Sequence, residues 1–129
     1  MTSFNELARD GQDAGRRNLL QPGAEPRVPY IANVMGSEPA IAATDYMKNY
    51  AEQVRAFIPA ESYAVLGTDG YGRSDSRENL RTHFEVNRHY VVVTALSELA
   101  KRGDVEPDAV SEAISKYGID INKPNPLFC

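Results

Sequence analysis

The sequence predicts an α/β domain, in which two or three short strands alternate with four or more helices. Three observations carry that expectation. Two short apolar runs, Ala40 to Asp45 and Tyr63 to Gly67, have the length of buried strands. Segments with helical spacing separate and follow them. A glycine-bearing stretch, Thr68 to Asp75, lies between the second apolar run and a capped helix start, as a strand-to-helix turn does.

The elements follow in order. Ser3-Phe4-Asn5-Glu6 reads as a capping box, with Ser3 accepting from the Glu6 backbone N–H and Glu6 reaching back. The helix it opens runs to about Leu20, with Phe4, Leu7, Ala8 and Gly11 as its apolar stripe. Gly11 and Gly15 weaken that helix, or let another backbone approach closely. Prolines at 22, 26 and 29 make Gln21 to Pro29 a loop. A short helical turn over Tyr30 to Met35 ends at Gly36. After the first strand, Met47, Tyr50, Ala51, Val54, Phe57 and Ile58 keep helical register until Pro59 stops it.

The second strand leads into the Gly67–Gly72 loop and then into Asp75-Ser76-Arg77-Glu78, a second capping box with Asp75 as the cap. That helix continues through Leu80 and Phe84. Tyr90-Val91-Val92-Val93 has the β-branched content of a strand. Asn87 as a cap, and the stripe Tyr90, Val91, Ala95, Leu99, Ala100 up to Gly103, favour a helix instead. A last helix starts at Glu106-Pro107, buries Val110, Ala113, Ile114 and Tyr117, and ends at Gly118. The tail, residues 123–129, is expected to be extended, which sets the domain at residues 1–122. Two clear strands are few for so many helices, and the place for a missing one is before Thr2.

Composition narrows the function. The 129 residues are enough for one modest core. Hydrophobic content of 42% and charged content of 25% are those of an ordinary globular chain. The net charge is -4 and the pI about 5.2, without the basic face of a nucleic-acid binder. The dense pair Arg16-Arg17 reads as the basic end of a helix. No apolar run approaches the roughly 20 residues of a membrane span. Met1 to Asp10 has neither the apolar core of a secretory signal nor the composition of a transit peptide. The single cysteine, Cys129, closes the chain, so no internal disulfide forms. That fits a reducing compartment, and a cytoplasmic location is the expectation. A terminal thiol has little chance of a positioned base and pocket, so Cys129 is not read as a nucleophile.

The residues offer little chemistry. His83 and His89 are six apart, whereas metal-binding pairs on one helix are usually four apart, so surface or capping roles are expected. Asp10, Gly11 and Asp13 read as a solvated helix face. Asp69 and Asp75 lack an evident base or metal partner. The Gly67–Gly72 loop, with Arg73 and Arg77 beside it, matches neither G-x-x-x-x-G-K-S/T nor G-x-G-x-x-G. It reads first as a tight strand-to-helix turn, with a phosphate or partner contact as the second possibility.

Three stretches resemble the C-terminal end of the homodimeric, bacterial-type pyruvate dehydrogenase E1 family, a transketolase-like family. They are Thr2 to Asp13 (TSFNELARDGQD), Pro26 to Ala32 (PRVPYIA) and Val65 to Gly103 (VLGTDGYGRSDSRENLRTHFEVNRHYVVVTALSELAKRG). The resemblance implies a small, mostly parallel sheet flanked by helices, whose first strand would end near Thr2. It implies an enzyme that decarboxylates pyruvate on thiamine diphosphate held by Mg²⁺ and then reductively acetylates the lipoyl group of E2. Its catalytic and cofactor residues lie in earlier domains. This sequence has neither the Gly-Asp-Gly nor the Asn-Asn of the thiamine diphosphate motif, so no catalytic, cofactor or metal residue carries over. The implied role here is structural, and the isolated chain is expected to be inactive. The implied partners are the remaining E1 domains, the second E1 subunit and the E2 dihydrolipoyl acetyltransferase. The candidate contact surface is Tyr71, Arg73 and Arg77. The alternative is a free-standing binding or assembly module from a truncated E1 gene.

Overall fold

The computed structural model describes residues 3–129. Helix α1, Phe4–Leu20, begins where Ser3 Oγ accepts from the Glu6 N–H at 3.3 Å. The Glu6 carboxylate pairs with Arg9 at 2.5 Å. Ala8, Gly11 and Ala14 form the buried face. Gly11 is required there, since a Cβ would sit 2.5 Å from the Phe57 ring. The neighbour that approaches Gly11 is thus a side chain, not a backbone.

The proline loop is pinned onto α1. The Asn18 side chain donates to the Arg27 carbonyl at 3.0 Å and accepts from its N–H at 2.8 Å. Asp10 accepts from the Tyr30 N–H at 2.7 Å and pairs with Arg27, which also reaches Asp13 at 3.0 Å. The acids expected on a solvated face therefore hold the loop and the start of α2, Tyr30–Val34. The Tyr30 N–H, with Arg27, holds the Asp10 carboxyl below the usual carboxylate range.

Strands β1, Ala40–Ala43, and β2, Tyr63–Leu66, pair in parallel with Ala40 opposite Tyr63 and Ala43 opposite Leu66. One further bond, from the Thr44 N–H to the Leu66 carbonyl at 3.0 Å, extends the ladder past β1. This sheet has two strands among the described residues. The first strand expected before Thr2 lies outside them.

The single helix expected over Met47 to Ile58 is split. Helix α3 covers Lys48–Glu52, and a 3₁₀ turn covers Arg55–Phe57. Pro59 ends the second piece and does not cause the break at Gln53–Val54: its ring excludes helical bonding to the Arg55 carbonyl, and Ile58 before it is extended at φ -80°, ψ 126°. Tightening the last turn keeps Val54 fully buried while Arg55 donates to the Tyr63 carbonyl at 2.7 Å. Ala8, Ile31, Val54 and Ile58 form the core, with Phe4, Leu7, Met35, Phe57, Ala60 and Tyr63 packed against it.

Helix α4 is Arg77–His83 and α5 is Arg88–Arg102, so Val91 to Val93 are helical. Asn87 outweighs their strand propensity by accepting from the N–H groups of His89 and Tyr90 at 3.0 and 3.1 Å. Gly103, at φ 84°, ends α5 with bonds back to Leu99 and Ala100. Helix α6, Pro107–Lys116, packs on α5, which also lies against both strands. The tail is not wholly extended. Asn125 accepts from the Leu127 N–H at 2.9 Å and caps a 3₁₀ turn over Pro126–Phe128. No helix among the described residues is long and apolar enough to cross a membrane.

Candidate functional site at the loop between β2 and α4

The loop begins at Gly67, which must be small because a Cβ would sit 2.9 Å from the Tyr46 carbonyl and 2.7 Å from the Lys48 side chain. The Thr68 N–H then donates to Tyr46 O at 2.9 Å, and its hydroxyl donates to Asp45 O at 2.9 Å. Asp69 accepts from the Lys48 N–H at 3.0 Å, so it serves the start of α3. Gly70, at φ 120°, turns the chain where the tail crosses: a Cβ would lie 2.2 Å from the Pro126 carbonyl oxygen.

The helix start differs by one residue from expectation. Ser76, not Asp75, caps α4, accepting from the Asn79 N–H at 3.3 Å. Asp75 instead accepts from the Asn79 side chain at 2.9 Å and the Ser76 N–H at 2.7 Å. Those bonds, the Asn79 one foremost, hold its carboxyl below the usual range.

Of the three residues singled out in sequence, Tyr71 is 67% exposed. Arg73 donates to His83 Nδ1 at 3.1 Å. Arg77 stands exposed at the first position of α4. All three border one open hollow with Asp45, Arg81 and Phe84. Sequence reasoning missed its ion pair: Arg81 grips Asp45 through two nitrogens, at 3.2 and 2.8 Å. Phe128 stands exposed in the tail that crosses at Gly70. The Asp45–Arg81 pair spans 36 positions, and no local spacing signals it.

The two histidines serve packing and polar contacts. His83 packs edge-on to Phe84 at 4.8 Å, and His89 lies over Tyr117 at 4.4 Å. Among the described residues, no group of three or more His, Cys, Asp or Glu could hold a metal ion.

Residues 1–87 match the family model described as the transketolase-like TK C-terminal domain. The chain belongs to this family. Over 126 residues, 98% of its length, it is 64% identical to the pyruvate dehydrogenase E1 component of Escherichia coli strain K12. It is 59% identical over 126 residues to that of Haemophilus influenzae, and 58% over 129 residues to that of Pseudomonas aeruginosa. The transketolase-like chain spans 14–15% of the length of these curated relatives. Its α/β architecture, a parallel two-stranded sheet flanked by helices, is consistent with that family.

Proposed function

We propose that this chain is the C-terminal domain of a pyruvate dehydrogenase E1 component and works as a packing and docking unit of that larger enzyme. The observation that carries the proposal is the 64% identity over 98% of the chain to the Escherichia coli protein. The complete subunit decarboxylates pyruvate on thiamine diphosphate held by Mg²⁺ and passes the acetyl group reductively to the lipoyl group of E2. It works as a homodimer in the cytoplasm.

The residues here do not fit a thiamine diphosphate–Mg²⁺ seat. Asp45, Asp69 and Asp75 are committed to Arg81, to the start of α3 and to the start of α4. No step of the reaction is therefore assigned to this domain, and the isolated chain is inactive.

Two surfaces support a packing role. Among the described residues strand β1 has one strand neighbour, and an open hollow of about 650 Å³ runs along it, bordered by Phe4, Met35, Ile41, Tyr46, Tyr50 and Tyr63. An unpaired strand edge beside apolar side chains is covered in stable proteins. The strand expected before Thr2 and the remaining E1 domains cover it in this reading. Tyr71, Arg73 and Arg77 form the second surface, offered to the partner subunit or to E2.

The test is pyruvate-dependent acetylation of a lipoyl domain by the full-length protein that carries this sequence. Activity that requires thiamine diphosphate and Mg²⁺, absent from the 129-residue chain alone, is expected. A folded full-length protein without it overturns the reading. The paired variant Arg73→Ala, Arg77→Ala should weaken dimerisation or E2 binding at least severalfold. Unchanged values for both would remove that surface from the proposal.

A further inference from the structure

We propose that His83 is a proton-operated latch for the loop between β2 and α4, holding Arg73 when neutral and releasing it when charged. The geometry fixes the tautomer. An arginine guanidinium offers donors and no acceptor. The 3.1 Å contact from Arg73 Nη1 to His83 Nδ1 therefore requires a lone pair on Nδ1 and places the ring proton on Nε2. Nε2 is buried without a hydrogen-bond partner, so the ring's one formed bond is the bond to the loop. A second proton can enter only at Nδ1, where it removes the acceptor and sets an imidazolium against a guanidinium.

The surroundings oppose that charge. Arg73 faces the ring from the loop and Lys123 from the segment after α6, while Glu85 faces it from the connection to α5. Lys123 donates to the His83 carbonyl at 2.6 Å and pairs with Glu85 at 3.2 Å, which offsets much of the acid's help. Burial foremost, then Arg73 and Lys123, hold His83 below the usual histidine range.

The sign follows. A histidine whose folded value is lowered adds stability that is fully present above its unfolded value of about 6.5 and is lost as pH falls through the folded value. The latch is closed near neutrality and opens on the acid side. Arg73 is two residues from Tyr71, so opening changes the surface on which both stand. The latch depends on contacts within this chain and stands whether or not the chain acts in a pyruvate dehydrogenase.

The experiment uses the full-length protein, with ¹³Cε1-labelled histidine and 3-fluorotyrosine, titrated by NMR from about pH 7, where the fluorophenol is still neutral, to about pH 5. His83→Gln and Tyr71→Phe assign the two signals. Glutamine can still accept from Arg73 but takes up no proton. The expected result is a Tyr71 fluorine signal that moves with the His83 midpoint in the unaltered protein and stays flat in His83→Gln. Arg73→Met, at a site outside the core, should raise the His83 midpoint. A midpoint unmoved by Arg73→Met, or a Tyr71 signal that ignores pH or moves equally in His83→Gln, overturns the latch.

Discussion

Gly70 shows how one residue can tie two distant segments together. Its φ of 120° is a conformation L side chains rarely adopt, and its missing Cβ makes room for the Pro126 carbonyl. Replacing it adds backbone strain and a collision with main chain that cannot swing aside. Gly70→Ala should therefore cost on the order of 1–3 kcal/mol of stability. Gly72→Ala, where a Cβ meets nothing within 4 Å, should cost well under half of that. Chemical denaturation of the full-length protein measures both, and equal losses would show that the tail contact does not hold the loop. Sequence alone marked this glycine as part of a loop but could not show what faced it. The same limit hid the Asp45–Arg81 and Asp10–Tyr30 contacts, since each joins residues 20 or more positions apart. The misplaced cap at Asp75 has another cause. Asp and Ser are both good caps, and adjacent in sequence they are separated only by which side chain reaches the Asn79 N–H.

At the scale of elements, local chemistry was a good guide where one start or stop residue stood without a rival beside it. Helix α5 is the clearest case. Asn87 and Gly103 bracket it, and Val91 to Val93 are helical against their own strand preference. The cap is thus expected to matter for the whole element. Asn87→Ala should destabilise the protein by about 1 kcal/mol, while Asn87→Ser should restore most of the loss. Thermal or denaturant melts compare the two, and an alanine variant as stable as the serine one would contradict the cap's role. The segment after Met47 was read less well. Helical spacing of apolar residues from Met47 to Ile58 is real, but a short helix followed by a 3₁₀ turn satisfies the same burial pattern. The tail illustrates the converse. Its two prolines suggested extension, and Asn125 instead folds the last residues into a capped turn.

For the whole molecule, the α/β class was legible because the strands are short apolar runs and the helices carry their own caps. The two strands among the described residues are the two apolar runs read in the sequence. The proposed function rests on resemblance. The side chains of this domain are spent on caps, ion pairs and packing, and the loop surface around Tyr71, Arg73 and Arg77 carries no chemistry that spacing alone would reveal. Several apolar side chains remain exposed, among them Leu19, Tyr30, Tyr46 and Phe128, as is common where a domain meets others. A chain that spans 14% of its Escherichia coli relative has much of a larger enzyme to meet in this reading. The deciding measurement is the size of the native protein in its source cells, by immunoblot with an antibody raised against this domain. A single band several times heavier than 14.2 kDa is expected, as befits a domain of a full E1 subunit. A single band at the size of this chain would contradict the account and make it a free-standing protein.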